Sequence, residues 1–288
     1  VHYYHIPHAT ILKVTGKDSP RYLQSRLTNN IKLLTVGKRC FAAQLTPQGK
    51  TQGILSVFRA DETCFILTCD RGNREDIIAA FRKYIVADRV TVEDCSVEGA
   101  LFCVDASLTL PDSADLYSTG ERFASYSDVV ALSGNATSAL REHLTTLHAT
   151  AMSAAAFELL EFQAGIPRFG KELDEQTLFS ESGFDDAIAA NKGCYVGQEV
   201  VEKIESFGKA PKIFKRVAIV HTVTGHNNLE PGTPVMYGDT DIGRVISVCP
   251  DANADRSLAF IRIKNDASID LNKLLISGNT VQSYEQNT

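Results

Sequence analysis

After Gly208 the chain changes texture, and its apolar runs become short and evenly spaced. Phe214 to His221, Thr233 to Tyr237, Asp241 to Val248, Leu258 to Ile263 and a last run near Thr280 are punctuated by Gly225, Gly232, Gly238, Gly243, Pro231, Pro234 and Pro250. Roughly five or six short strands in about eighty residues predict a small antiparallel barrel or sandwich. The polar, proline-bearing Lys209-Ala210-Pro211-Lys212 marks where it begins, which divides the chain into residues 1–208 and 209–288.

A chain of 288 residues exceeds the usual single-core size, so more than one packed unit is expected. No apolar run approaches the roughly 20 residues that span a bilayer. The chain begins at Val1, so its start says nothing about targeting. A net charge of -6 argues against a protein that holds nucleic acid mainly through phosphate contacts. The cysteines at 40, 64, 69, 95, 103, 194 and 249 are odd in number and contain no Cys-x-x-Cys, which fits reduced thiols and no metal site.

The first 208 residues mix strands and helices. Thr10 to Val14 reads as a strand, and Asp18-Ser19-Pro20 opens a helix burying Leu23 and Leu27. His2, His5 and His8 precede it in what reads as a solvated lead-in. Lys38 to Leu45, Ile54 to Ala60, Cys64 to Cys69, Arg89 to Glu93 and Gly99 to Val104 read as strands, with a helix from about Asn73 to Tyr84. Residues 107–130 are rich in Ser, Gly and Pro and read as the most loop-like part. Helices follow at about Ala136 to Leu147 and Ser153 to Ala164, the second stopped by Gly165 and Pro167. Strands outnumber helices, as in an α+β fold.

Chemistry concentrates in Lys192-Gly193-Cys194-Tyr195-Val196-Gly197-Gln198-Glu199. Val200, Val201, Ile204 and Phe207 mark one face of a helix running to Gly208. Cys194 stands just ahead of that helix's positive end and two residues after Lys192, and both neighbours favour thiolate over thiol. A lone cysteine is otherwise a small buried apolar residue.

That segment resembles the signature of YgfZ-type folate-binding proteins, relatives of the glycine-cleavage T-protein that help maintain iron-sulfur enzymes. The resemblance extends along the chain in order: Gly16-Lys17-Asp18 with Tyr22-Leu23-Gln24 and Leu27 to Asn30, the hairpin Leu45 to Lys50, Ala164 to Pro167 with Glu172-Leu173, and Gly243 to Ser247. It implies a multi-lobed T-protein-like ring of α+β lobes around a tetrahydrofolate cavity, with a C-terminal antiparallel β-barrel. It implies Cys194 and Lys192 as the working pair, and Gln163, Arg168, Glu172, Gly193, Tyr195, Gly197, Gln198 and Glu199 as folate-binding candidates. The implied partners are iron-sulfur assembly proteins or client enzymes, for a monomer in a bacterial cytoplasm or a mitochondrial matrix.

One departure bears on catalysis. The T-protein carries an acidic residue on the strand after the hairpin, where this chain has Lys50-Thr51-Gln52-Gly53-Ile54. A neutral Gln52 cannot pair with an amine as a carboxylate does. This favours a folate-binding accessory factor for iron-sulfur clusters over a one-carbon transferase acting on an amine, a demethylated substrate or a tRNA base. A non-catalytic scaffold is the third reading.

Overall fold

A computed structural model of the chain describes residues 1–69, 74–123, 125–208, 210–221, 229–251 and 255–284. Asn73, Lys209 and Gly225, used above as a helix start, a linker residue and a turn residue, lie outside them.

The chain begins with β1 (His2–Ile6) and β2 (Thr10–Thr15), then α1 (Ser19–Gln24), which has Pro20 in its first turn. The hairpin β3 (Arg39–Leu45) and β4 (Thr51–Arg59) follows, then β5 (Cys64–Cys69), α2 (Arg74–Lys83) and β6 (Thr91–Asp94). These strands form an antiparallel sheet in the order β3-β4-β5-β2-β6. Leu12, Leu55, Phe65 and Leu67 on one face pack against Tyr22 and Leu23 of α1 and Ile77 and Phe81 of α2. Ile11, Ala43, Leu45 and Ile66 on the other face turn to the centre of the molecule. Burial on both faces explains why β5 reads as a continuous apolar run instead of alternating.

The second sheet is built from β7 (Ala100–Asp105), β8 (Leu116–Phe123), β9 (Tyr126–Ala131) and β10 (Thr150–Ala151), with helix α3 (Gly134–Thr146) before β10. Its order is β10-β1-β7-β9-β8. Two expectations are corrected here. The histidine-bearing N-terminus is not a solvated lead-in: it is a strand paired on both sides, with Tyr4 stacked on Phe157 at 4.2 Å. Much of the stretch 107–130 is the hairpin β8-β9. Its polar composition reflects an edge strand interrupted by register shifts at Ser118/Gly120 and Glu121/Phe123, and pairing with β7 supplies the order that composition does not.

Helix α4 (Ala154–Ala164) starts with Ser153 Oγ accepting from the Ala156 amide and ends at Gly165, which is left-handed at φ 73°. Of the charges in residues 165–191, Arg168, Glu172 and Glu181 are buried, while Asp174, Glu175, Asp185 and Asp186 are exposed. Helix α5 (Gln198–Ser206) buries Val201, but Phe207 lies past its end and is 75% exposed, off the stripe its spacing predicts.

The last six strands are β11 (Lys212–Val220), β12 (Pro234–Tyr237), β13 (Thr240–Pro250), β14 (Arg256–Lys264), β15 (Leu274–Ile276) and β16 (Asn279–Ser283). They close into an antiparallel barrel in the order β11-β14-β13-β12-β15-β16. Val217, Val235, Val245, Ile261 and Ile276 fill its interior. Outward-facing Ala218, Leu258 and Phe260 pack on Phe162 of α4, which also meets the Tyr284 ring, so the barrel is seated on that helix. Truncating a buried phenylalanine of this kind costs about 3–5 kcal/mol.

Candidate functional site

The signature segment is a loop folded around left-handed residues, Asn191 at φ 55°, Gly193 at φ 87° and Gly197 at φ 85°. A Cβ on Gly197 would lie 2.7 Å from the Thr46 carbonyl oxygen, and a Cβ on Gly49 would lie 2.9 Å from the Val200 side chain. The β3-β4 turn and the start of α5 therefore meet backbone to backbone, as only glycine permits.

Lys192 is turned inward. Its Nζ donates to the carbonyls of Gln24, at 2.6 Å, and Leu27, at the C-terminal end of α1 where unpaired carbonyls and negative dipole favour a cation. The ammonium also lies 4.7 Å from the centroid of the Tyr195 ring. Burial pulls its pKa down to about 8, opposed in part by the nearby Cys40 thiol. Lys192 thus anchors the loop to the first sheet's helix layer, with its charge committed to those carbonyls.

Cys194 is exposed, while Cys64, Cys69, Cys95, Cys103 and Cys249 are buried and Cys40 is half-buried. Burial pushes Cys40 and Cys95 each up to about 11 and raises Cys103 further, which keeps them protonated and unreactive. Gly193 beside Cys194 is exposed, and a Cβ there would meet nothing within 4 Å, so the thiol's approach is open. The first amides of α5 are partly answered locally: the Gln198 amide donates to Tyr195 O and the Val200 amide to Gly197 O. Gln198 Oε1 accepts from the Tyr195 amide at 3.3 Å, and Glu199 is exposed.

The other sequence-derived candidates fall elsewhere. Arg168 and Glu172 form a buried two-pronged ion pair, with Nε to Oε2 at 3.0 Å and Nη2 to Oε1 at 2.6 Å. Burial opposes the Arg168 charge, but Glu172, Glu161 and Glu158 outweigh it and hold the guanidinium above the usual arginine range. Glu172 serves to hold Arg168, which lines a central cavity together with Phe41, Ile54, Arg122, Glu161 and Phe169. Gln163 lies outside that lining, at the end of α4, where its carbonyl accepts from Arg216 Nη1 at 2.5 Å.

Arg122 and Glu161 were not singled out from the sequence. Arg122 Nη1 pairs with Asp128 at 3.0 Å and Arg122 Nη2 with Glu161 at 3.4 Å, all three buried. The legible signal was a glutamate four residues after Phe157 on an otherwise apolar helical face. Ser56 and Thr68 add hydroxyls to apolar walls. Arginine donors and a glutamate acceptor thus line an otherwise largely apolar cavity. The cavity is about 30 Å³, room for about two waters, so a ring enters only if wall side chains withdraw.

No protein-family model matches the chain. It is 30% identical to a tRNA-modifying protein YgfZ from Klebsiella pneumoniae over 68% of this chain and 64% of that protein. It is 24% identical to an aminomethyltransferase from Shouchella clausii over 91% of this chain and 78% of that one. A chloroplastic Arabidopsis thaliana protein is 23% identical, the match spanning 91% of this chain and 65% of the plant protein's length. Among solved structures, the glycine cleavage system aminomethyltransferase T of Bartonella henselae superposes with a TM-score of 0.83 at 16% identity, over 99% of this chain and 85% of that chain. The fold is therefore that of the aminomethyltransferase T-proteins, mixed α+β with a closed C-terminal barrel. Within that class the chain is similar in sequence both to proteins named tRNA-modifying protein YgfZ and to aminomethyltransferases.

Proposed function

We propose that this chain is a tetrahydrofolate-binding accessory factor that supports assembly or repair of iron-sulfur clusters in client enzymes, with Cys194 as its working thiol. The observation that carries the reading is the exposure of Cys194 on a loop whose flanks are fixed by buried Lys192 and close-packed Gly197. A thiol that serves a client must be reachable, and a structural cysteine is packed, as Cys103 is. Tyr195 and Gln198 shape this loop through the hydrogen bond between them.

The folate part is supported by the T-protein fold and by the arginine donors Arg122 and Arg168 and the acceptor Glu161 around the central cavity, with Glu172 holding Arg168 in place. A bound reduced folate accepts or donates a one-carbon unit. Gln52 in place of an acid favours the accessory role over transfer from an amine. In this reading residues 1–208 hold the folate and the barrel braces α4, and a reducing compartment keeps Cys194 as a thiol.

Two measurements test the two halves. Anaerobic calorimetric titration with tetrahydrofolate is expected to show one site of roughly micromolar affinity, about -8 kcal/mol; a flat titration removes the folate. Cells lacking the protein are expected to lose activity in iron-sulfur enzymes and to regain it with the native chain but not with Cys194→Ser. Full rescue by Cys194→Ser removes the thiol role. The tRNA-modifying name carried by two relatives favours a second reading, one-carbon transfer to a tRNA base, which predicts a missing tRNA modification with normal cluster enzymes.

A further inference from the structure

The central cavity shares a wall with an outer cleft of about 360 Å³. Phe41 lines both. Arg39, whose guanidinium lies 4.5 Å from the Phe41 ring centroid, lines the cleft, while its Nη1 donates to Ser56 Oγ, 3.1 Å away in the cavity wall. The cleft lies at a seam, because β3 and β8 are edge strands of separate sheets and Lys38 to Phe41 on one side face Thr119 to Glu121 on the other. Arg39 spans that seam, with Nη2 donating to the Glu121 carbonyl. Withdrawing Arg39 and Phe41 would join a cavity too small for a ring to a cleft within the roughly 300–1,000 Å³ of small-molecule sites.

The charge of Arg39 is poorly answered. Its side chain is 11% exposed, yet Asp128 lies 3.9 Å from Nη1 and pairs more closely with Arg122, at 3.0 Å. Burial pulls the Arg39 pKa down by more than Asp128 raises it. The other acceptors are neutral, a hydroxyl and a backbone carbonyl. Nε makes no hydrogen bond among the described residues, and it faces Gly120 of the cleft, where a Cβ would lie 3.8 Å away. Lys38 and Glu121 are both exposed on the rim and offset each other in water, so the buried guanidinium decides what the cleft prefers.

A carboxylate placed in the cleft would give Arg39 the partner it lacks. Resting on the folate reading above, we propose that the cleft holds the carboxylate-bearing tail of the bound folate, Arg39 leaving Ser56 and the Glu121 carbonyl to pair with it, while the neutral ring passes Phe41 into the cavity. The exchange favours Arg39, because two-pronged, charge-assisted pairs are roughly twice as strong as hydrogen bonds between neutral groups. It also removes the bar across the seam and frees the Ser56 hydroxyl for the ring. Arg39 is then a binding residue that selects a folate over a bare pterin.

Anaerobic calorimetry of the full chain tests this with two ligands: tetrahydrofolate, and tetrahydrofolate whose tail carboxylates are amidated, which keeps the shape and removes the charge. The native chain is expected to bind the acid at least about tenfold more tightly than the amide, the size of one charge-assisted contact. Arg39→Gln should weaken the acid about tenfold and leave the amide within about twofold, whereas an arginine that only braced the seam would move both ligands alike. If Arg39→Gln does not fold, Arg39→Lys, which keeps the charge without the fork, should lose part of the preference for the acid. Equal affinity of the native chain for the two ligands, or equal weakening of both by the Arg39 variant, overturns the tail assignment and leaves the folate reading standing. Flat titrations with both ligands overturn the folate reading and this assignment with it.

Discussion

Gln24 and Lys192, 168 positions apart, hold each other by reciprocal hydrogen bonds: Gln24 Nε2 donates to the Lys192 carbonyl at 2.6 Å, and Lys192 Nζ donates to the Gln24 carbonyl at 2.6 Å. Through this pair the end of α1 and the loop bearing Cys194 form one rigid unit. Gln24 Oε1 also accepts from the Lys32 amide at 3.0 Å, so the glutamine is fixed on both sides.

Lys192→Met should cost about 1–3 kcal/mol at pH 7, because the Gln24 and Leu27 carbonyls lose their buried donor. The cost should grow with pH. In the native fold Lys192 titrates near 8 instead of 10.5, so across that window the unfolded chain binds more protons and the wild-type fold gains stability as pH rises. Thermal melts of the two proteins between pH 7 and 10 check this, and a difference that stays flat or shrinks would contradict the buried ammonium.

Gly197→Ala and Gly193→Ala separate two kinds of constraint. Both positions have positive φ, so each substitution carries the left-handed cost of roughly 1–2 kcal/mol. Only Gly197 adds a clash, at 2.7 Å from Thr46 O. Chemical denaturation should find Gly197→Ala the worse by about 1 kcal/mol or more. Equal losses would mean that the loop does not rest on the β3-β4 turn.

In the native protein one thiol should alkylate rapidly, and mass mapping should place it at Cys194, since five of the others are buried and Cys40 is half-buried. Cys194→Ser should abolish that fast phase while changing stability by no more than about 0.5 kcal/mol, as for an exposed side chain. Fast labelling of Cys40 or Cys249 would show that the packing around them opens readily.

Arg168→Met should destabilise the fold by about 3–5 kcal/mol, because Glu172 remains as a buried carboxylate without its guanidinium partner. The double variant Arg168→Met/Glu172→Leu should recover part of that loss, which urea titration would register. No recovery would place the cost in packing and not in the ion pair.

Several features were legible locally. The C-terminal strands, the stop of α4 at Gly165 and the start of α5 at Gln198 follow from short-range rules, apolar periodicity and the conformational freedom of glycine, which act within a few residues. The signature around Cys194 was visible for the same reason. The sequence alone could not place β1, because His2–Ile6 is ordered by pairing with β7 and β10, about a hundred and more residues away. Nor could it give the β8-β9 hairpin, whose polar strands depend on β7 for a partner. The direction of Lys192 is also tertiary, since a lysine two residues before a cysteine reads as its cation until α1 presents open carbonyls on the other side. The same holds for Arg122, Asp128, Glu161 and Arg168. Their pairing cannot be read from the sequence, and only the folded chain supplies the opposite charges that allow all four to be buried together.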